Sequence, residues 1–174
     1  MSSMINATPF IFGFAGWSGS GKTTLAEKII AQAADENLTI ATIKHAHHHF
    51  DADHEGKDSY RHRKAGARQV LVASDRRMAL FTEMPQPQKP VLEDLLSRLD
   101  KTDWVLVEGF KASAFPKIEI YDPQLSDEPL FKTDKNIIAV VSQNPLPDCH
   151  LPYFYRDDVL SIYAFLKSQA HNKA

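Results

Sequence analysis

The chain has 174 residues, enough for one domain with a sizeable core, and a formal net charge of −2, without the basic surplus of a nucleic-acid footprint. Its one cysteine, Cys149, excludes an intramolecular disulfide and a thiolate zinc cluster, and fits a reducing compartment. No basic segment followed by a long apolar run opens the chain, and Phe10–Ala15 is far too short to span a bilayer, so a cytoplasmic protein without membrane or nucleic-acid partners is expected.

Taken in order, Phe10–Ala15 reads as a buried strand. Gly16-Trp17-Ser18-Gly19-Ser20-Gly21-Lys22-Thr23-Thr24 follows, with the full G-x-x-x-x-G-K-[ST] spacing of a phosphate-binding P-loop. Thr24–Ile30 then reads as an amphipathic helix, with Asn37 as its stop, and Thr39–Ile43 as a short β-branched strand. Strand, helix, strand at this spacing predicts a parallel βαβ unit. Lys44–Lys57 is polar and aperiodic, an exposed loop carrying His45, His47, His48, His49 and His54.

Asp58 is expected to cap a helix over Ser59–Ala65 that Gly66 closes. Gln69–Ala73 and Met78–Thr82 flank Ser74-Asp75-Arg76-Arg77 and predict an antiparallel hairpin. Three prolines make residues 84–90 a linker, and Val91–Leu99 shows a helical apolar face. Trp104–Val107 is a continuous apolar run ending in Glu108, as expected of a central parallel strand that delivers a carboxylate to the sheet edge. Lys117–Tyr121 reads as a strand with alternating sides, residues 122–136 as loop, Ile137–Val141 as a buried strand, and Val159–Leu166 as the core of a closing helix. The order is that of an α/β protein: a P-loop NTPase-type, three-layer fold with a mostly parallel central sheet and an inserted antiparallel hairpin at about 69–82, in a single domain.

The loop carries the clearest chemistry. Its glycines let successive N–H groups turn inward, and the helix N-terminus adds unpaired donors and partial positive charge. Lys22 is the candidate for the β- and γ-phosphates, and the Thr23 hydroxyl for Mg²⁺. Ligands of open α/β sheets bind at the carboxyl ends of strands. Four segments end there: the P-loop, Lys44-His45, Glu108-Gly109 and Ser142-Gln143-Asn144-Pro145. Glu108 is the candidate Walker-B acid, holding a metal-bound water or orienting the attacking one. Asp58 is either a further metal-side acid or an ordinary helix cap. The histidine run has no cysteine nearby and no helical period, so a phosphate or partner contact through Lys44 and His45, or a solvated loop, stands ahead of a zinc site.

Several blocks together resemble the MobB family, the molybdopterin-guanine dinucleotide biosynthesis protein B family. They are Trp17–Thr24, Ile43–His48, Gly56–Tyr60, Lys64–Ala67 and Val107–Lys111. The resemblance implies a GTP-binding protein with Mg²⁺ and weak intrinsic hydrolysis, an accessory to a molybdopterin guanylyltransferase partner protein, and a homodimer to which the hairpin near Arg76 contributes. It assigns Gly16 to Thr24 to the nucleotide loop and Glu108 to the Walker-B position. The family's Ser-Asp-x-Pro block stands here as Ser142-Gln143-Asn144-Pro145. Gln143 offers one amide oxygen where an aspartate would accept from both guanine N1–H and N2–H₂, so base contact by Gln143 and Asn144 leaves guanine preference open.

The alternative is a small-molecule, uridine-kinase-like P-loop enzyme. Such kinases need lid arginines on the transferred phosphate, and Arg156 is the only arginine after Arg98. No cis arginine finger is apparent, so slow turnover is expected, with Arg76 or Arg77 of a second subunit as the candidate in trans.

Overall fold

The computed structural model describes residues 8–46, 50–126 and 128–172. They form two compact units: one runs to His45 and resumes at Leu92, and the other is Ala46–Val91.

The first unit contains six strands: β1 (Phe10–Ala15), β2 (Ile40–Lys44), β5 (Trp104–Glu108), β6 (Lys117–Ile120), β7 (Ile137–Ser142) and β8 (Tyr153–Tyr155). They make one sheet in the order β2-β5-β1-β6-β7-β8, and every pairing is parallel. β1 therefore lies in the middle, where the chain leaves first to one side and later to the other. Phe10, Phe12 and Phe14 of β1 and Trp104 and Leu106 of β5 pack against Leu25 and Ile29 of α1 (Lys22–Asp35) and Ile162 and Leu166 of α4 (Val159–His171). Val105 and Val107 pack on the opposite face with Leu92 of α3 (Leu92–Leu96), Phe110 and Phe115. Both faces are covered, which is why these strands read as unbroken apolar runs. The result is the three-layer P-loop NTPase arrangement expected from the sequence, with the main sheet wholly parallel.

Local chemistry sets the helix ends. Asn37 has φ 60°; its N–H donates to Ala34 O at 3.0 Å and that of Leu38 to Ala33 O at 2.9 Å, closing α1 with a Schellman motif. α3 is shorter than the expected 91–99. Arg98 N donates to Leu95 O and Leu99 N to Leu96 O, so the last turn tightens to i→i+3 bonds. The stretch expected as loop before β7 holds a 3₁₀ turn, Leu130–Lys132.

β6 keeps the expected alternating sides, with Ile118 and Ile120 in the main core and Lys117 and Glu119 bonded elsewhere. All four residues are buried, because β6 lies between β1 and β7 with both faces covered. Glu119 accepts from Leu130 N at 2.6 Å and Phe131 N at 2.8 Å. Lys117 donates to Lys111 O at 3.0 Å, Ser113 O at 2.8 Å and Asp134 Oδ2 at 3.0 Å.

The second unit contains α2 (Asp58–Lys64) and the hairpin of β3 (Gln69–Ala73) and β4 (Met78–Thr82), a separate two-stranded sheet at the expected boundaries. The helix begins one residue earlier than expected. Lys57 is its extended cap residue, and Asp58 is already helical, in a first turn that favours an acid. Arg63 is the unit's centre. It bonds Asp51, Asp53 and Glu83 and lies between the rings of Tyr60 and Phe81, at 5.5 and 5.4 Å. Among the described residues no helix is long and apolar enough to cross a membrane.

Candidate functional site

Because the sheet is parallel, the carboxyl ends of β1, β2, β5 and β7 open on one edge, as the four polar strand ends predict. The loop Gly16–Gly21 leaves β1 there. Gly16 has φ +140°, and a Cβ on it would stand 2.5 Å from Ile120 O and 2.8 Å from Ser20 Oγ. Gly21, at φ +95°, is the cap residue of α1 and offers the helix no side-chain bond. The N–H groups of Lys22, Thr23 and Thr24 therefore have no intrahelical acceptor, and the first α-helical bond is Leu25 N to Gly21 O at 3.0 Å. α4 is built differently, with Asp158 accepting from Ser161 N at 3.1 Å. An open helix start with inward amides is an anion cradle.

The Lys22 ammonium folds over the loop, donating to Gly16 O at 3.0 Å and Trp17 O at 2.6 Å. Burial holds this amine below the ordinary lysine range; Glu108 opposes the shift, while Lys111 and Lys44 reinforce it. Lys111 rests over the exposed Trp17 ring, 5.0 Å from its centre. It is a cation of this cluster that sequence reading left out of the site, although it ends the Val107–Lys111 block.

Glu108 comes to the same place. Its Oε2 is 3.5 Å from Lys44 Nζ, and its Oε1 is buried without a hydrogen-bond partner. An orphaned carboxylate oxygen beside the loop can ligate a hard cation or accept a hydrogen bond from the cation's water. His45 holds this corner: its N–H donates to Glu108 O at 2.9 Å, and its ring lies 5.3 Å from that of Phe110. Thr23 and Thr24 lie in the exposed first turn of α1, and Gln143 and Asn144 are exposed past β7. Asp58 belongs to the second unit, where it is 85% exposed and 3.5 Å from Arg61. His47, His48 and His49 lie outside the described residues.

Arg156, the one arginine after Arg98, lies near the loop. β8, unforeseen in the sequence, ends at Tyr155, and Arg156 N donates to Ser142 O at 3.2 Å. Its Nη1 lies 3.8 Å from the Cβ position of Gly21, and its Nη2 is 3.4 Å from Asp122 Oδ2. This is a residue fixed at a sheet edge, not one carried on a lid. The one signal for β8 is the aromatic triplet Tyr153-Phe154-Tyr155, too short to show a period.

The sequence model of the family described as MobB, molybdopterin guanine dinucleotide synthesis protein B, matches residues 11–143. The chain belongs to the MobB family. It is 43% identical over 145 residues to the molybdopterin-guanine dinucleotide biosynthesis adapter protein of Haemophilus influenzae, covering 82% of this chain and 79% of that one. It is 45% identical over 139 residues to the adapter protein of the same description from Escherichia coli, covering 78% and 79%. Its fold matches the crystal structure of a MobB protein homolog from Bacillus stearothermophilus with a TM-score of 0.68, at 26% identity over 93% of this chain and 98% of that one. The blocks that suggested MobB between Trp17 and Lys111 all fall inside the matched segment, whereas Arg156 lies beyond it.

Proposed function

We propose that this chain is a molybdopterin-guanine dinucleotide biosynthesis adapter that binds GTP with Mg²⁺ at the P-loop edge, hydrolyses it slowly, and works as a homodimer beside the molybdopterin guanylyltransferase. Membership of the MobB family carries the biosynthetic role. The observation that carries the nucleotide reading is the uncapped start of α1, with Lys22 folded over the loop.

In this reading the loop amides and the N–H groups of Lys22 to Thr24 hold the phosphates. The Lys22 ammonium exchanges its bonds to Gly16 O and Trp17 O for phosphate oxygens. Thr23 and Glu108 are the residues to hold the metal, which when bound neutralises charge on the β- and γ-phosphates. Lys44, positioned by its pairing with Glu108, and His45, anchored to the Glu108 carbonyl, face the γ-phosphate side; Gln143 and Asn144 serve the base side. Slow turnover follows from the cations that act on Lys22. Lys44, paired with Glu108, and Lys111, over the Trp17 ring, are ammonium point charges without the planar fork that makes arginine effective on a transferring phosphoryl group.

Titration calorimetry with GTP, GDP and ATP tests the reading. Lys22→Ala is expected to abolish triphosphate binding while the chain stays folded by circular dichroism. Affinity equal to that of the unmodified chain overturns it. Stoichiometric phosphorylation of a free nucleoside would favour the kinase alternative.

A further inference from the structure

A cavity of about 190 Å³ adjoins the phosphate loop. Gly21 and Thr24 border it on α1, Ile120 and Val141 at the ends of β6 and β7, and Arg156 and Asp157 just past β8. Sites for a whole drug-sized ligand occupy roughly 300–1,000 Å³, so this one is scaled for one part of a ligand. Gly21 and Thr24 belong both to the phosphate cradle and to the wall of this cavity, so a ligand whose phosphates lie in the loop can extend its remaining part into it. For a nucleotide that part is the nucleoside.

The lining has a definite chemistry. Ile120 and Val141 are core residues, at 1% and 0% exposure, so they close the cavity at its inner end and leave its polar side to Arg156 and Asp157. Arg156 Nε is buried and has no hydrogen-bond partner, and Nη2 makes only the long 3.4 Å contact with Asp122. A buried guanidinium N–H without an acceptor is costly, and an acceptor on a ligand relieves that cost. Asp157 is exposed beside it, with an acceptor-only carboxylate. Guanine presents acceptors at O6 and N7 and donors at N1–H and N2–H₂, so a guanidinium and a carboxylate match its two edges. Adenine turns an acceptor, N1, toward the carboxylate.

We propose that this cavity is the base subsite and that Asp157, with Arg156, selects guanine. The acceptor that Gln143 supplies only in part then comes from the far end of β8. Both residues lie outside residues 11–143, the segment that the family's sequence model matches. The proposal rests on the reading that the loop binds a nucleoside triphosphate.

Equilibrium titration of the full chain with GTP, XTP and ATP, in Mg²⁺, tests it. The unmodified chain is expected to prefer GTP. Asp157→Asn is expected to lose GTP affinity about 10- to 100-fold, the scale of hydrogen bonds to a charged acceptor, and to gain XTP affinity, because the amide donates to the xanthine 2-oxo group. Asp157→Ala is expected to lose GTP without gaining XTP. Thermal melting confirms that each variant folds, and since Asp157 is exposed no loss of structure is expected. Equal GTP and ATP affinity in the unmodified chain overturns the proposal. So does an unchanged GTP-to-XTP ratio in Asp157→Asn while Lys22→Ala abolishes binding, and that outcome leaves the loop reading standing. Failure of the unmodified chain to bind any of the three nucleotides overturns both.

Discussion

Lys22 links charge to conformation at a single residue. Its pKa lies below 10.5, chiefly through burial, with Lys111 and Lys44 adding to the shift against the pull of Glu108. Between the lowered value and 10.5 the unfolded chain binds the proton and the folded chain does not. This lysine's contribution to stability therefore rises with pH through that window. Nucleotide binding runs the other way. Phosphate oxygens favour the ammonium, so the complex takes up a proton where the free protein has lost one. GTP affinity is expected to be flat at neutral pH and to fall as pH rises through the lowered Lys22 value. Calorimetry in buffers of different ionisation enthalpy reads this as net proton uptake at alkaline pH. Affinity and proton count that stay constant across the alkaline range would show that Lys22 is not the coupled group.

At the scale of elements, the site depends on β6 and the turn before it. Lys117 ties Lys111 and Ser113 to Asp134 by three bonds, at 2% exposure. Burial works to raise the Asp134 pKa, but the Asn136 N–H and the Lys117 ammonium outweigh it and hold that carboxyl below the ordinary aspartate range. Lys117→Met is expected to destabilise the fold by about 1–3 kcal/mol, since Lys111 O and Ser113 O lose their donor and Asp134, still bonded by Asn136 and 23% exposed, loses its cation. Asp134 contributes stability above its ordinary value that is lost as pH falls, so the variant should lose acid tolerance less steeply. Adding Asp134→Asn should restore part of the loss, and urea melts of the two variants check both statements. The chain's own pattern explains why this network was not legible in sequence. Alternation in Lys117–Tyr121 separates the two charged residues from the two isoleucines but does not say that both faces are covered, which depends on the neighbouring strands β1 and β7. The P-loop, β5 and β7 were legible because buried parallel strands are continuous apolar runs that end in polar residues at one edge. β8 was not, since three aromatic residues carry no period. Nor could the spacing bring Arg156 near the loop, because it depends on the order of strands across the sheet.

At the scale of the whole molecule, the second unit carries what the first does not use. Register pairs Leu71 with Leu80 and Ala73 with Met78, so these four share one face of the hairpin. Leu71, Met78 and Leu80 are 58%, 67% and 55% exposed. This apolar stripe is where the proposed homodimer would bury area. The turn between the strands presents Arg76 and Arg77, with Ser74 Oγ accepting from both backbone N–H groups. If one copy's turn arginine completes the other's hydrolytic site, phosphate release per chain should climb with protein concentration through the monomer–dimer transition. Leu80→Glu places a charge in the stripe and should yield a monomer in sedimentation at concentrations where the unmodified chain is dimeric. Its GTP affinity should be unchanged, because the proposed site lies in the first unit, and its phosphate release per chain should be flat and low. Arg76→Ala combined with Arg77→Ala should remain dimeric and lose the concentration-dependent rate. A Leu80→Glu protein that still sediments as a dimer moves the interface off this stripe. Concentration-dependent release that survives loss of both arginines removes them from the hydrolytic site while leaving the dimer intact.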